Sequence, residues 1–535
     1  MPLSRSAVAA IVASVSVLAA VPLARAWADP AAESTAVRQA TQSAALDVPE
    51  PTLPDLTDAS PLDGGKASAP RRPVKLEPER DAARLGAAEI TIQALTFTFK
   101  ANGYGIYTAP REQYPYARKQ PIALADSGVH DAAGVRMYKI GDKLYNHPVA
   151  QASYGIENLE SFILTKDQRY LDRAKTQAGR LIERAVKVGT AWYLPYPFDF
   201  NLHGDPNDRR NAPWYSAMAQ GQAVTLFVRL YELTSDQTYK NAADGVFGSF
   251  LRPKGTSTPW VVWVDSLNHL WLEEYPGVSA DRTLNGHIFA TFGMWDYWRL
   301  TADERAKTLY RGALTTVWDY FPRYRNEKWI SHYCLTHPSR LSDKYHLIHI
   351  AQLIRVLALT RGVAFLKLAE TLSGDYPPPT VSGSVRFAAG THTGVKFNSN
   401  GTVASRKTVT LSAASAAPAD RRMRIYGQPG YWYRITAGTF AGYYVQERYA
   451  VVALQGRSVT YQFYPARKAT MTAGKAYTGY EFAGNGAVLS SQSVAPTADT
   501  SFGAVASAWW NAREYLLAGS GPLAGRWIHR AALVV

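Results

Sequence analysis

The apolar positions divide the chain into stretches of different periodicity. From Asn146 to Ala369 they recur at three- and four-residue spacings, as in VAQASYGIENLESFILT, QRYLDRAKTQAGRLIERAV, WYSAMAQGQAVTLFVRLYELT, NGHIFATFGMWDYWRLT, AKTLYRGALTTVWDYF and YHLIHIAQLIRVLALT. That spacing draws one apolar stripe down a helix. Gly, Pro or charged loops separate the runs, with no alternating strand between them. Helix after helix predicts antiparallel hairpins closed into an α/α toroid, or a solenoid. After Tyr376–Thr380 the character changes. Thr, Ser, Gly and Val fill short alternating runs such as TVTLSAAS and YWYRITAGTFAGYYVQE, which read as strands and turns. This part also repeats. AAGTHTGVKF (Ala388–Phe397) returns as TAGKAYTGYEF (Thr472–Phe482), and WYRITAGTFAGYYV (Trp432–Val445) as YLLAGSGPLAGRWI (Tyr515–Ile528). The offset of 83–85 residues predicts two tandem β-modules, over 380–465 and 466–535. The expected fold class is multidomain α + β, a helical barrel over 90–375 followed by two small all-β modules.

The N-terminus fits neither pattern. Arg5 precedes an apolar stretch from Ala7 to Leu23, and small residues follow as ARA and AWA. This reads as a signal peptide over 1–28 and predicts a secreted or cell-surface protein. An uncleaved membrane anchor is the competing reading, because the apolar run is close to spanning length. Residues 29–89 are rich in Ala, Pro, Asp, Ser and Thr and read as a disordered linker.

At 47% apolar and 19% charged, the chain can bury a real core. Its one cysteine, Cys334, excludes an intrachain disulfide framework and a cysteine-built zinc or iron–sulfur site. Cys334 itself reads as a small packing residue. Net charge is +15, and from Thr380 to Val535 there are 16 Lys/Arg against 5 Asp/Glu. A basic β-region with aromatics suits an anionic partner such as a cell-wall polymer or glycan; the competing reading is a structural β-domain with incidental charge. The chain has no phosphate-binding glycine loop and no nucleic-acid motif, so no nucleic acid is expected.

Four clusters in the helical part mix polar and aromatic residues: LYNHPVAQASYGIENL, NAPWYSAMAQGQ, WLEEYPGVSADRTLNGHIFATFGMWDYW and ISHYCLTHPSRLSDKYHLIHIAQL. Together they resemble the D-glucuronyl C5-epimerase family, whose members convert D-glucuronate to L-iduronate within heparan-type chains. That family's WYSAMAQGQ stands in full at Trp214–Gln222, its EEYP at Glu273–Pro276 and its LNG at Leu284–Gly286. Its YxLxH matches Tyr333–His337, and its YHxxHIxQL matches Tyr345–Leu353. Its Tyr-x-x-Pro-(x)5-Tyr-Gly matches Tyr145, Pro148, Tyr154 and Gly155. The resemblance runs from about Tyr145 to Gly374. One departure is Thr336, where the family usually has Arg. Another is domain order, since the family's β-domain precedes its helical domain.

The resemblance implies an α/α barrel and an isomerase, acting on uronate within a polysaccharide, that needs no cofactor. It implies Tyr275, Tyr333 and Tyr345 as the residues exchanging the C5 proton. Glu274 is implied as a substrate-site carboxylate, with Trp214, Tyr215, Tyr145 and Asn285 in the substrate-binding motifs.

The chemistry is consistent with this. A proton α to a carboxylate leaves a dianionic enolate behind, so the site must supply preorganised donors. Inversion needs an acid on the opposite face of the ring. A tyrosine, with an ordinary pKa near 10, serves as base only if neighbouring cations lower it. His337, Arg340, His346 and His349 are the candidates, for that and for holding the carboxylate. A polysaccharide lyase needs the same groups, and a non-catalytic glycan-binding toroid the same aromatics. His346-x-x-His349 has the spacing of two zinc ligands on one helical face, but no third ligand is apparent in sequence, so no metal is expected. HGDPNDRRN (His203–Asn211) reads as a surface loop at the cleft rim.

Overall fold

The computed structural model describes residues 87–92, 95–100, 103–255, 259–277, 280–511 and 513–535. The expected signal peptide lies outside them, as does the expected linker except for its last three residues. Those three belong to an antiparallel ribbon in which Ala87–Ile92 pairs with Leu95–Lys100. Residues through Tyr324, with His332–Phe365, form one compact unit; Arg325–Ser331 and Leu366–Val535 form the other.

Among the described residues the helical part of the sequence forms eight α-helices: α1 (Pro148–Thr165), α2 (Gln168–Arg184), α3 (Ala217–Thr234), α4 (Gln237–Phe247), α5 (Leu284–Thr301), α6 (Glu304–Tyr324), α7 (Asp343–Thr360) and α8 (Val363–Asp375). Helix α1 pairs with α2, α3 with α4 and α5 with α6 as hairpins, and α1, α3, α5 and α7 pack on one another in that order. These four are the inner helices. In α3 and α5, every residue from Ala217 to Leu230 and from Leu284 to Tyr297 is buried. A helix apolar nearly all round has no solvent face. By contrast, α2 buries only one stripe, including Tyr170, Leu171, Ala174, Ala178 and Leu181. The contact between α3 and α5 is backbone against backbone. A Cβ on Gly221 would stand 2.6 Å from Ala290 Cα, and one on Gly293 2.3 Å from the Gly221 carbonyl oxygen.

The hairpin turns share one local device. LTKD (164–167), LTSD (233–236) and LTAD (300–303) each end an inner helix with a residue of positive φ, namely Lys166, Ser235 and Ala302. The Thr hydroxyl then accepts the Asp backbone N–H, at 3.2 Å in each turn. The Asp carboxylate in turn accepts from the N–H two residues on, capping the outer helix. The fourth turn, LTRG, keeps the Thr bond and replaces Asp with Gly362.

A segment from Tyr104 to Leu124 crosses the hairpins at the C-terminal end of the inner helices. Tyr107 N–H donates to Leu359, Trp295 Nε1 to Tyr107 O, and Arg229 to Pro115 O. Beneath it, buried Arg229 of α3 pairs with Glu160 of α1 at 2.7 Å and Asp296 of α5 at 2.9 Å.

The C-terminal unit holds strands β1 (Val381–Phe387), β2 (Gly390–Phe397), β3 (Val403–Leu411), β4 (Ser415–Met423), β5 (Trp432–Ile435), β6 (Tyr444–Gln446), β7 (Val452–Met471), β8 (Tyr477–Phe482), β9 (Val488–Val494), β10 (Thr500–Trp510), β11 (Arg513–Ala518) and β12 (Trp527–His529). They form one hydrogen-bonded sheet in the order β3-β2-β6-β5-β4-β1-β7-β10-β11-β12-β8-β9. Read inward from each edge, the halves run β3-β2-β6-β5-β4-β1 and β9-β8-β12-β11-β10-β7, the same path twice. Each half has its own core, one around Phe387, Tyr433 and Phe440, the other around Met471, Tyr477 and Phe502. Strand β7 joins them, pairing with β1 through its first part and with β10 along most of its length. The 465/466 boundary expected between separate modules therefore falls inside a shared strand.

Candidate active site

The inner helices all begin at one pocket. It is lined by His147 and Val149 at the start of α1, and by Trp214, Ser216 and Met218 at the start of α3. Glu274, Tyr275 and Asn285 line it at the approach to α5, Tyr345 at the start of α7, and Tyr196 from the loop before α3. Each motif supplies one local fixture. Gln220 is buried; its side chain accepts from Leu194 N–H and donates to Trp192 O and Ser249 Oγ. Ala217 N–H donates to Glu273 O, and Leu284 N–H to Tyr333 O. The Glu273 carboxylate accepts from the backbone of Tyr275 and Arg282. WYSAMAQGQ, EEYP, LNG and YxLxH are thus bound together through main chain.

The three tyrosines singled out by the motifs meet here. The Tyr275 and Tyr333 hydroxyls are 3.4 Å apart, and the Tyr333 and Tyr345 ring centres 4.5 Å apart. Tyr275 is flanked by Phe200 and Trp214, each with its ring centre 6.0 Å away. Trp214 is itself stacked on Tyr196 at 3.7 Å and 12°. Glu274 Oε2 and Asn285 Oδ1 are buried and make no hydrogen bond to any described residue. Buried polar atoms are normally paired, so both are available to a ligand.

Burial dominates the electrostatics. It raises the Glu274 carboxyl to about 8, with the charges of Asp281 and Glu273 adding to it and a hydrogen bond with Tyr275 opposing it. Burial and Asp281 raise Glu273 to about 7. Burial, then the Glu274 charge, pushes the Tyr275 and Tyr333 phenols well above their ordinary value. This corrects the expectation that nearby cations lower the tyrosines. His349 is buried on α7 and pushed down to about 3 by that burial and by His346, so it is neutral. His346 is also fully buried on that helix. His337 faces elsewhere, its Nδ1 2.8 Å from Asp281 Oδ1 and its Nε2 3.5 Å from Asp208. Arg340 lies near enough to Asp205 to act on its carboxyl.

Of the remaining expected residues, Trp214 and Asn285 line the pocket. Tyr215 turns away to pack on Tyr193 at 5.7 Å. Tyr145 stands one layer back, against Phe198 at 5.6 Å. Sequence reasoning passed over Tyr196, Phe200 and His147; the aromatic run WYLPYPFDF was the signal for the first two. It also placed His203 on a surface loop, whereas His203 is 4% exposed with its ring edge-on to Tyr333 at 5.5 Å.

Fold and pocket together define a helical-hairpin domain whose polar and aromatic groups sit on the loops entering its inner helices. Residues 190–372 match the family described as D-glucuronyl C5-epimerase C-terminus, the family to which the motifs point. The chain is 25% identical over 178 residues to a D-glucuronyl C5-epimerase of Caenorhabditis elegans, spanning 30% of this chain but only 28% of that protein. It is also 25% identical over 240 residues to an uncharacterized protein of Methanocaldococcus jannaschii, 43% of this chain and 75% of that one. Among solved structures it is similar to cellobiose 2-epimerase from Bacillus thermoamylovorans, with 14% identity, a TM-score of 0.34, and coverage of 46% of this chain and 65% of that one.

Proposed function

We propose that the protein is a carbohydrate epimerase that inverts C5 of D-glucuronate to L-iduronate within a polysaccharide, without leaving its chain cleaved. The observation that carries this reading is that Tyr275, Tyr345 and Glu274 line one pocket while buried Tyr333 contacts both tyrosines. Buried phenols held this far above neutrality do not act as phenolates. Glu274 is the neighbouring group whose ionisation lies within reach of neutral pH. In the step we assign, one tyrosine oxygen takes the C5 proton while its own hydroxyl proton passes to the Glu274 carboxylate. The negative charge thus leaves Glu274 as it develops on the enolate, and the neutral acid then donates a hydrogen bond to that enolate while keeping its proton. A tyrosine on the opposite face returns a proton to C5 and is itself recharged through the Tyr275–Tyr333 contact from Glu274. Asn285 Oδ1 accepts from a substrate hydroxyl. The basic C-terminal sheet holds anionic polymer, and the protein works outside the cell.

The test is incubation of the full chain with heparosan in heavy water, with NMR of C5. Deuterium at C5 together with L-iduronate supports the reading. An ultraviolet-absorbing unsaturated uronate assigns a lyase instead. Binding with no exchange at C5 overturns catalysis altogether.

A further inference from the structure

We propose that His203, Asp281, Cys334 and His337 form a binding site for one divalent transition-metal ion of the zinc class, which clamps together the three loops that build the tyrosine pocket. One ligand atom from each of these residues lies within 4.8 Å of the others. The separations are 3.5 Å from Cys334 Sγ to His203 Nε2, 3.7 Å from Sγ to His337 Nδ1, 3.8 Å from His203 Nε2 to Asp281 Oδ2, and 2.8 Å from His337 Nδ1 to Asp281 Oδ1. A tetrahedral zinc with bonds of about 2.0–2.3 Å has ligand-to-ligand edges of about 3.3–3.6 Å. Three of the four separations already stand near that length, and the fourth, the shortest, runs to the other oxygen of the Asp281 carboxylate.

The donor set selects the class of metal. One thiolate and two imidazoles suit zinc or cobalt, and disfavour calcium and magnesium, which take oxygen ligands. Charge agrees too, since a dication with one thiolate, one carboxylate and two neutral imidazoles is neutral. A neutral site is what a buried position tolerates, and Cys334, Asp281 and His203 are 0%, 1% and 4% exposed. Outer partners are in place. Asp208 stands 3.5 Å from the outward nitrogen of His337, and Thr283 Oγ1 donates to Asp281 Oδ2 at 2.6 Å. Carboxylates behind metal-bound histidines orient the ring in this way. His203 takes a positive φ of 56°, uncommon for a residue other than glycine, while its imidazole sits in the cluster.

The placement gives the ion its work. Cys334 follows Tyr333 directly, and Asp281 stands two residues before Thr283, which bridges to Cys334 in antiparallel pairing. His203 abuts the Tyr333 ring. An ion here fixes Tyr333 from behind without touching the reacting atoms. It is a positioning site, and it is distinct from the His346-x-x-His349 spacing considered from sequence.

The full-length protein, produced in zinc-supplemented medium and dialysed, is tested by elemental analysis. About one zinc per chain is expected, with cobalt substitution giving a thiolate-to-cobalt charge-transfer band and tetrahedral ligand-field bands. Cys334→Ser, close to the same size, should lose the charge-transfer band, and His203→Gln should lose most of the metal. His392→Gln, in the C-terminal sheet, should keep it. Only trace zinc and no cobalt bands in a cooperatively melting parent protein overturns the proposal. So does undiminished metal in Cys334→Ser and His203→Gln. If His203→Gln does not fold, Cys334→Ser decides alone. Metal content is read without substrate, so this outcome does not depend on the reaction assigned above.

Discussion

Glu274 owes its position to the missing side chain of Gly286, where a Cβ would stand 2.0 Å from Glu274 Oε2. Gly286 lies in the first turn of α5, where alanine suits the helical backbone but its Cβ would also stand 2.7 Å from Glu274 Cβ. Gly286→Ala should therefore cost about 1–3 kcal/mol of stability and push the carboxylate out of place. A displacement of about 1 Å costs on the order of 100-fold in rate. The check is kcat alongside a thermal melt, and parental kcat would dissociate the glycine from catalysis.

The hydroxyl pair Tyr275–Tyr333 makes a sharper expectation. Tyr275→Phe and Tyr333→Phe each remove one oxygen and leave the stacked rings. Turnover should fall about 100-fold or more, the scale of a positioned acid or base, with far smaller change in KM. Tyr345→Phe should do the same. A variant lacking the acid of one face should still exchange deuterium into C5 without net inversion. Parental epimerisation by all three variants would sink the tyrosine assignment.

The buried carboxyl sets a pH dependence. Unfolded, Glu274 titrates near its ordinary value of about 4.5, and folded near about 8. Between those values the folded state holds the extra proton, so this group's contribution to stability falls as pH rises. Glu274→Gln should therefore melt higher than the parent at pH 8.5, with the gap shrinking toward pH 5, as differential scanning calorimetry would show. If ionised Glu274 is the proton sink, parental kcat should rise with pH up to about 8. A kcat that instead falls through that range would reverse its role to acid.

At the far end of the inner helices, Arg229→Met should take from buried Glu160 and Asp296 the cation they share, leaving Glu160 to Arg111 and Asp296 to Arg299. Breaking one side of such a network costs about 3–5 kcal/mol. Urea unfolding at pH 7 measures this, and kcat per folded molecule should be unchanged, because the network lies away from the pocket.

Much of this was written in local order. The helices follow from their apolar spacing, and even the difference between inner and outer ones is visible: α3 is apolar nearly all round, while α2 carries a single stripe. The LT-x-D turns repeat in plain sight at 164–167, 233–236 and 300–303. The β-repeat at Ala388 and Thr472 foretold a sheet that follows the same path twice. Tyr275, Tyr333 and Tyr345 could be picked out because each sits in a compact motif.

What sequence spacing could not fix was which groups surround them. Desolvation is a property of the packed pocket, so the upward shift of Glu274, Tyr275 and Tyr333, and the neutrality of His349, came only with burial. His337, three residues from Cys334, turns to Asp281 and Asp208 and not to the phenols. His203 reaches Cys334 across 131 positions of chain. Contacts between residues so far apart are set by how loops close over the helix ends, and no local pattern encodes that closure.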